Sequence, residues 1–132
     1  MPATQPPRRS ALFMPASNAR ALEKARGLAA DVIIMDLEDA VAPDMKEIGR
    51  HQAVTAVRDG GYGKRELVIR ANGEGTPWHE GDLAAIAGSG ADAVLLPKVE
   101  SADAVHRAER MLERAGAPGD LSIWCMIETA RG

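Results

Sequence analysis

Three carboxylates directly follow an apolar run in the stretch DVIIMDLEDAVAP, residues 31–43. Asp36, Glu38 and Asp39 come after Val32–Met35, whose four apolar side chains are typical of a buried strand. Carboxylates held close together raise one another's pKa and lose hydration, so such a cluster destabilises the fold unless a cation offsets it. The pattern therefore predicts a metal ion, an Arg or Lys, a helix N-terminus or open solvent beside the three groups.

Polar side chains follow three other apolar runs in the same way. They are Arg70, Asn72, Lys98 and Glu128. The planar, permanently charged guanidinium of Arg70 suits the carboxylate of a substrate, and the alternative is a salt bridge to Glu38 or Asp39. These residue types predict a site that binds an anionic ligand, with or without a metal ion.

Each of these residues also has a purely structural interpretation. Glu128 could pair with Arg70 instead of binding a metal ion or substrate. Glu38 and Asp39 could cap the helix that follows them. Lys98 could be a loop lysine that faces solvent. The residue types alone leave these alternatives open.

Histidine and cysteine, which also bind metals or act as nucleophiles, give weaker signals. His51, His79 and His106 fall within or just before predicted helices and away from the strand ends, which predicts surface positions for all three. Cys125 is expected on the opposite face of its strand from Glu128, as a small buried apolar residue.

Predicted strands and helices alternate along the chain. Apolar runs predict strands at residues 10–16, 32–37, 66–71, 92–97 and 121–128. Helices are predicted between them, at residues 18–30, 43–60, 81–90 and 100–116. Five apolar strands separated by helices indicate βαβ units and a parallel sheet covered on both faces.

Two α/β architectures fit this alternation: an open doubly wound sheet, or part of a closed (β/α)₈ barrel. The chain ends a few residues after its fifth strand, without a helix to cover that strand, which favours the first five β/α units of a barrel. Ligands bind at the carboxyl ends of the parallel strands in both architectures. The polar residues at these ends are therefore expected to share one site.

The composition is that of an ordinary globular protein, with 45% hydrophobic residues and a net charge of −3. This charge gives no reason to expect nucleic acid or a membrane surface as a partner, and no apolar run approaches the roughly 18 residues of a membrane span. Residues 1–9 are predicted to be a disordered segment, and residues 10–132 part of a single domain. One cysteine allows no intrachain disulfide, so a cytoplasmic location is expected.

Five stretches in register resemble the N-terminal half of the HpcH/HpaI aldolase and citrate lyase beta-chain family. They are RRSALFMPASNARALEKA, ADVIIMDLEDAVAPDMKEIGR, LVIRANGEGTPWHEGDLAAI, ADAVLLPKVES and IETARG. The likeness is greatest to CoA-ester lyases that act on citryl-, malyl- or citramalyl-CoA. One departure is Ala16, where the family commonly has glycine after the proline.

The resemblance implies a (β/α)₈ barrel that uses Mg²⁺ to cleave a carbon–carbon bond through an enolate. It implies that Glu128 binds the metal and that Arg70 binds the carboxylate or keto-acid group of the substrate. Asn72 and Lys98 are then expected to contact substrate, and Asp36, Glu38 and Asp39 to hold Arg70 or metal-bound water in place. A second metal ligand is expected on the strand after Gly132.

The resemblance also implies a homo-oligomer, trimeric or hexameric, that acts on an acyl-CoA or keto acid. Three other functions share the same residues. They are hydrolysis of a CoA thioester, aldol cleavage of a free hydroxy-keto acid, and ligand or subunit binding without turnover.

Overall fold

The computed structural model describes residues 8–129, which form a parallel sheet and four helices. The strands are β1 (Ala11–Pro15), β2 (Val32–Asp36), β3 (Glu66–Arg70), β4 (Ala93–Leu96) and β5 (Ser122–Cys125). The helices are α1 (Ala19–Ala25), α2 (Lys46–Asp59), α3 (His79–Ala87) and α4 (Ala102–Arg114), and a 3₁₀ turn at Pro43–Met45 precedes α2. The predicted alternation is thus confirmed, whereas several boundaries differ. The helix predicted from residue 81 begins at His79, and the last strand ends three residues before Glu128.

Local capping interactions explain where several elements begin and end. The Asn18 side chain accepts a hydrogen bond from the backbone N–H of Ala21 at 3.1 Å and so caps α1. Ser101 caps α4 in the same way, through Ala104 at 3.3 Å. Gly60 ends α2 with a φ of 68°, a conformation that costs glycine little.

Each strand in the sheet pairs with the next strand in the chain, in the order β1-β2-β3-β4-β5, and all pairs are parallel. A doubly wound sheet reverses its strand order at a switch point, and no reversal occurs among these five strands. This consecutive order is the one expected for a segment of a (β/α)₈ barrel. The five described strands do not close a barrel by themselves.

The four helices all cover the same face of the sheet, whereas the sequence predicted a sheet covered on both faces. Leu22, Ala53, Leu83 and Leu112, one from each helix, lie in one core with Ile33 and the side chains of the same face. Because parallel crossovers are right-handed and every crossover here moves one strand in the same direction, each helix falls on the same side. One face of the sheet therefore packs against the four helices, and the other face packs against none of them.

The other face of the sheet carries a second, smaller apolar cluster. It consists of Val32, Ile34, Val68, Ala93 and Leu95, with Trp124 and Met126 packed against it. In a barrel this face would be the interior. Asp36 and Arg70 have the same strand parity as Ile34 and Val68, so they belong to this inner face at its carboxyl end.

The N-terminal segment is only partly within the described residues. Of the predicted disordered segment 1–9, residues 1–7 lie outside the described part of the chain. Arg8 forms two hydrogen bonds to the Glu66 carboxylate, at 2.7 and 2.9 Å, and Arg9 contacts Asp31. Within residues 8–129, no helix has the length and apolar character to cross a membrane.

Candidate active site

The carboxyl ends of β2 and β3 place Asp36 and Arg70 side by side, because the strand register pairs these two residues. Arg70 donates from Nε to Oδ1 of Asp36 at 2.8 Å and from Nη2 to Oδ2 at 2.7 Å. Both side chains are buried, 9% and 2% exposed for Arg70 and Asp36 respectively. The contact is a two-pronged, charge-assisted pair that fixes the plane of the guanidinium.

The surroundings of Asp36 keep it ionised. Burial raises the pKa of this carboxyl, but hydrogen bonds from Arg70 and from the backbone N–H groups of Glu38 and Ala40 outweigh burial, so the pKa lies below its usual value. The hydrogen bond to Asp36 in turn raises the pKa of Arg70. Because β2 and β3 pair in this register, the main partner of Arg70 is Asp36. The sequence predicted Glu38 or Asp39 as the partner in any such salt bridge.

The rest of the Arg70 guanidinium faces the inner side of the sheet. Its Cζ lies 5.0 Å from the ring centre of Phe13, whose face attracts the cation. Nη1 is 3.5 Å from Oε1 of Glu38 and makes no hydrogen bond within residues 8–129. That Oε1 is buried and likewise has no hydrogen-bond partner among the described residues. Arg70 thus retains donors for a ligand beside an unsatisfied carboxylate oxygen.

Lys98 connects the acidic cluster to Glu128. Its Nζ contacts Glu38 and lies 3.7 Å from Oδ1 of Asp39, and the hydrogen bond to Glu38 raises the Lys98 pKa. Its backbone N–H donates to Oε1 of Glu128 at 3.0 Å. Lys98 has a φ of 50°, the one positive φ outside glycine in the described chain. Residues in this strained region cluster at functional sites.

Glu128 and Asp39 are the exposed carboxylates of the site. Glu128 contacts the backbone of Lys98, and no ion pair with Arg70 occurs within the described residues. The Asp39 side chain is 70% exposed and does not cap the following 3₁₀ turn, whose first residues have no side-chain cap. Glu128 therefore does not pair with Arg70, and Asp39 does not cap the following helix, within residues 8–129.

The donor set can be compared with the needs of Mg²⁺, which takes oxygen ligands and often only one or two protein carboxylates. Glu128 is a solvent-accessible carboxylate at the mouth of the strands, so its chemistry fits one such ligand. Within residues 8–129, no three His, Cys, Asp or Glu side chains lie close enough together to form a metal site. A complete ligand set would need a further group.

Asn72 belongs to a second polar network, centred on the fully buried Asp82. Asp82 Oδ2 accepts from the backbone N–H of Asn72 at 2.8 Å and from its Nδ2 at 2.7 Å. Asp82 Oδ1 accepts from Nε of Arg50 at 2.8 Å. Sequence reasoning missed Asp82 and Arg50. The available signal was a lone Asp at the start of the apolar stretch DLAAIA in α3.

His79 contradicts the prediction of a surface position, whereas His51 and His106 are exposed as predicted. His79 is only 7% exposed, and its Nδ1 lies 2.8 Å from the backbone oxygen of Asn72. The loop between β3 and α3 turns back, so that the first residue of α3 meets the end of β3. This contact spans only seven residues, but no sequence signal marked it. Cys125 is also exposed rather than buried.

A cavity of about 790 Å³ opens beside these networks, among the loops that follow β2, β3 and β4. Of the predicted site residues it is lined by Glu38, Asp39, Asn72 and Lys98, and His79 and Trp78 also form its wall. Asp36, Arg70 and Glu128 are not among its lining residues. The predicted residues thus meet at one edge of the sheet but divide between the inner face and this lateral cavity.

Lys46 supports the loop that follows β2 and carries Glu38 and Asp39. Its buried ammonium donates to the carbonyl oxygens of Leu37 at 2.9 Å and Glu38 at 2.6 Å, and it lies 5.3 Å from the ring centre of Trp78. These contacts hold the backbone that carries Glu38. The sequence offered no specific signal for this role.

The parallel sheet has helices on one face and polar residues at the carboxyl ends of its strands. These features place the chain in the class of α/β proteins built on consecutive β/α units. Residues 9–132 match the HpcH/HpaI aldolase/citrate lyase family, and the chain belongs to that family. The resemblance carried by the five sequence stretches is thereby confirmed.

Three similar proteins indicate the range of chemistry in the family. The chain is 47% identical to a (3S)-malyl-CoA thioesterase of Cereibacter sphaeroides, over 96% of this chain and 42% of that protein. It is 39% identical to an L-malyl-CoA/beta-methylmalyl-CoA lyase of the same species, over 96% of this chain and 42% of that one. The protein CitE from Mycobacterium tuberculosis, in complex with magnesium, acetoacetate and coenzyme A, superposes with a TM-score of 0.71 at 33% identity, covering 96% of this chain and 43% of that chain. The chain therefore spans about two fifths of the length of these proteins.

Proposed function

We propose that this chain supplies the first five β/α units of a (β/α)₈ barrel that cleaves a 3-hydroxyacyl-CoA, such as malyl-CoA or citryl-CoA, in a Mg²⁺-dependent reaction. Support comes from the family membership and from relatives that act on malyl-CoA. The observation that carries the proposal is Arg70, whose buried guanidinium is oriented by Asp36 while Nη1 keeps its donors. The complete enzyme is this chain together with the rest of the barrel.

The proposed reaction breaks the bond between the α and β carbons of the acyl group. The β-hydroxyl loses its proton and becomes the carbonyl of the released 2-oxo acid. The bonding electron pair moves into the thioester as an enolate, which then takes up a proton at the α carbon. Arg70 binds the carboxylate on the β carbon and so aligns the breaking bond with the thioester carbonyl.

Glu128 would hold the metal ion, together with a carboxylate from outside residues 8–129. When bound, Mg²⁺ supplies the positive charge that stabilises the developing oxyanion. Asp36 orients Arg70, while Glu38 and Asp39 hold the Lys98 ammonium at the rim. Lys98 and Asn72 would contact the substrate from the cavity wall. The trimeric or hexameric state and the cytoplasmic location stay predictions.

Hydrolysis of the thioester is the second candidate, favoured by the 47% identity to a malyl-CoA thioesterase. In that reaction water adds to the thioester carbonyl, CoA leaves as the thiol, and the carbon–carbon bond stays intact. Both reactions need the same anchored carboxylate, so the contacts of Arg70 support either one. Only the products separate them.

Product analysis of the complete enzyme with malyl-CoA and Mg²⁺ tests the proposal. We expect glyoxylate and acetyl-CoA in equal amounts, with no free thiol. Free CoA and malate without glyoxylate would contradict the lyase and support the thioesterase. No conversion of malyl-CoA or citryl-CoA would contradict both candidates. Chelation of divalent cations is expected to stop the reaction, and added Mg²⁺ to restore it.

Replacing Glu128 by glutamine is expected to weaken Mg²⁺ binding about tenfold or more, because the amide keeps the size of the side chain but removes its charge. Turnover should fall in parallel and recover in part at high Mg²⁺. Calorimetric titration with Mg²⁺ measures the affinity directly. Glu100→Gln is the matched control, since it removes the same charge from an exposed residue, one that lines the neighbouring cavity. Equal Mg²⁺ affinities for wild type and Glu128→Gln would refute the metal role.

A further inference from the structure

One ring nitrogen of His79 forms a hydrogen bond within the protein. Its Nδ1 lies 2.8 Å from the backbone oxygen of Asn72, and a carbonyl oxygen can only accept a hydrogen bond. Nδ1 therefore carries the hydrogen. In the neutral imidazole the other nitrogen, Nε2, is then a hydrogen-bond acceptor.

The orientation of this ring is fixed by buried polar groups behind it. Asn72 is held by two hydrogen bonds to Asp82, and Asp82 is held by Arg50. Gly81 leaves room for that arginine, because a Cβ at residue 81 would lie 2.8 Å from its Nη2. The carbonyl that anchors His79 is thus part of a rigid unit, as the residues of a preorganised site require.

The ring belongs to a residue that borders the cavity. His79 lines the cavity of about 790 Å³ while its Nδ1 edge is turned to Asn72. Within residues 8–129, Nε2 has no hydrogen-bond partner. It is not one of the fully buried polar atoms that lack a partner, so it is accessible to a ligand. Trp78, Val41 and Val99 form apolar walls of the same cavity. An acceptor set in an apolar wall suits a donor of a bound ligand.

We propose that His79 is a substrate-contacting residue whose Nε2 accepts a hydrogen bond from an O–H or N–H group of the acyl-CoA substrate. The identity of the substrate rests on the proposed function. Malyl-CoA has a donor in its acyl part, the hydroxyl, and several donors in its CoA part, among them the amide N–H groups of the pantetheine arm. The position of the cavity at the carboxyl ends of the strands allows either.

Two variants separate the two nitrogens. In His79→Asn the side-chain amide can replace Nδ1 and donate to Asn72, but nothing replaces Nε2. In His79→Gln the longer side chain can place its oxygen near Nε2, while the donor to Asn72 is lost. We expect the Asn variant to keep the thermal stability of the wild type and to bind malyl-CoA about tenfold more weakly. The Gln variant should bind within about threefold of wild type and melt at a lower temperature.

The measurements are calorimetric dissociation constants for malyl-CoA and melting temperatures of the complete enzyme, with His51→Asn as an exposed control. A merely structural His79 predicts the reverse order, with Asn close to wild type in affinity and Gln impaired, and that result would overturn the proposal. Failure of the wild type to bind malyl-CoA would overturn it as well. Binding without conversion would contradict the proposed function alone, because the comparison of affinities does not need turnover.

A truncated substrate identifies the donor. The malyl thioester of ethanethiol keeps the hydroxyl and lacks both pantetheine amides. If the affinity loss in His79→Asn persists with this thioester, the partner is the hydroxyl. If the loss is seen only with malyl-CoA, the partner is a donor of the CoA part, such as a pantetheine amide. An Asn variant that binds both ligands as tightly as wild type contradicts the contact.

Discussion

Replacing Arg70 by lysine is expected to lower kcat/KM for malyl-CoA by about 100-fold or more in the complete enzyme. In the native protein two of its nitrogens hold Asp36 at 2.8 and 2.7 Å, and Nη1 remains for a substrate. A lysine ammonium is a single point of charge, so it cannot bind Asp36 on two sides and also a substrate carboxylate in a fixed plane. The loss should appear in kcat as well as in KM, because misalignment of the breaking bond affects the transition state.

Arg58→Lys is the matched control, because Arg58 is an exposed residue of α2. It should keep the kcat/KM of the wild type. Circular dichroism and the melting temperature are measured for both variants, since the inner face of the sheet loses the Arg70 contact with Phe13. A folded Arg70→Lys enzyme with activity within about threefold of wild type would remove Arg70 from substrate binding.

Replacing Asp82 by alanine is expected to lower the free energy of unfolding by about 3–5 kcal/mol. The side chain is 1% exposed and accepts from Arg50 and twice from Asn72. Its removal leaves the buried donors of Asn72 and the Nε of Arg50 without an acceptor, and an unpaired buried donor costs its full loss of hydration. The position of Asn72, and with it the anchor of His79, should loosen at the same time.

Denaturant unfolding of the complete enzyme measures this loss. Glu80→Ala is the matched control: Glu80 lies in the same turn of α3 but is exposed, so its removal should change stability by no more than about 0.5 kcal/mol. Asp82→Asn should fall between the two, because it keeps one acceptor and loses the charge. Equal stabilities of Asp82→Ala and Glu80→Ala would show that the Asp82 network contributes nothing to the fold.

The sequence by itself determined the order of elements, the strand ends that carry polar residues, and the family. Strands and helices have their own periods of apolar residues, and each is encoded within a short window, so five strands and the four helices between them were visible without a structure. The common position of Asp36, Arg70, Lys98 and Glu128 at one edge followed from parallel pairing alone. The family resemblance rested on motifs at these same strand ends.

Only the tertiary structure decided which of these residues touch. Asp36 meets Arg70 because β2 and β3 pair in one particular register, and residues 34 apart in the chain carry no local mark of that register. The burial of His79 and Asp82 depends on how the loop after β3 folds back on α2, through contacts with Arg50 and Asn72. The single-sided placement of the helices depends on the direction of successive crossovers. Local patterns specify the elements and their faces, whereas pairings between distant segments arise only when the whole sheet and its loops pack together.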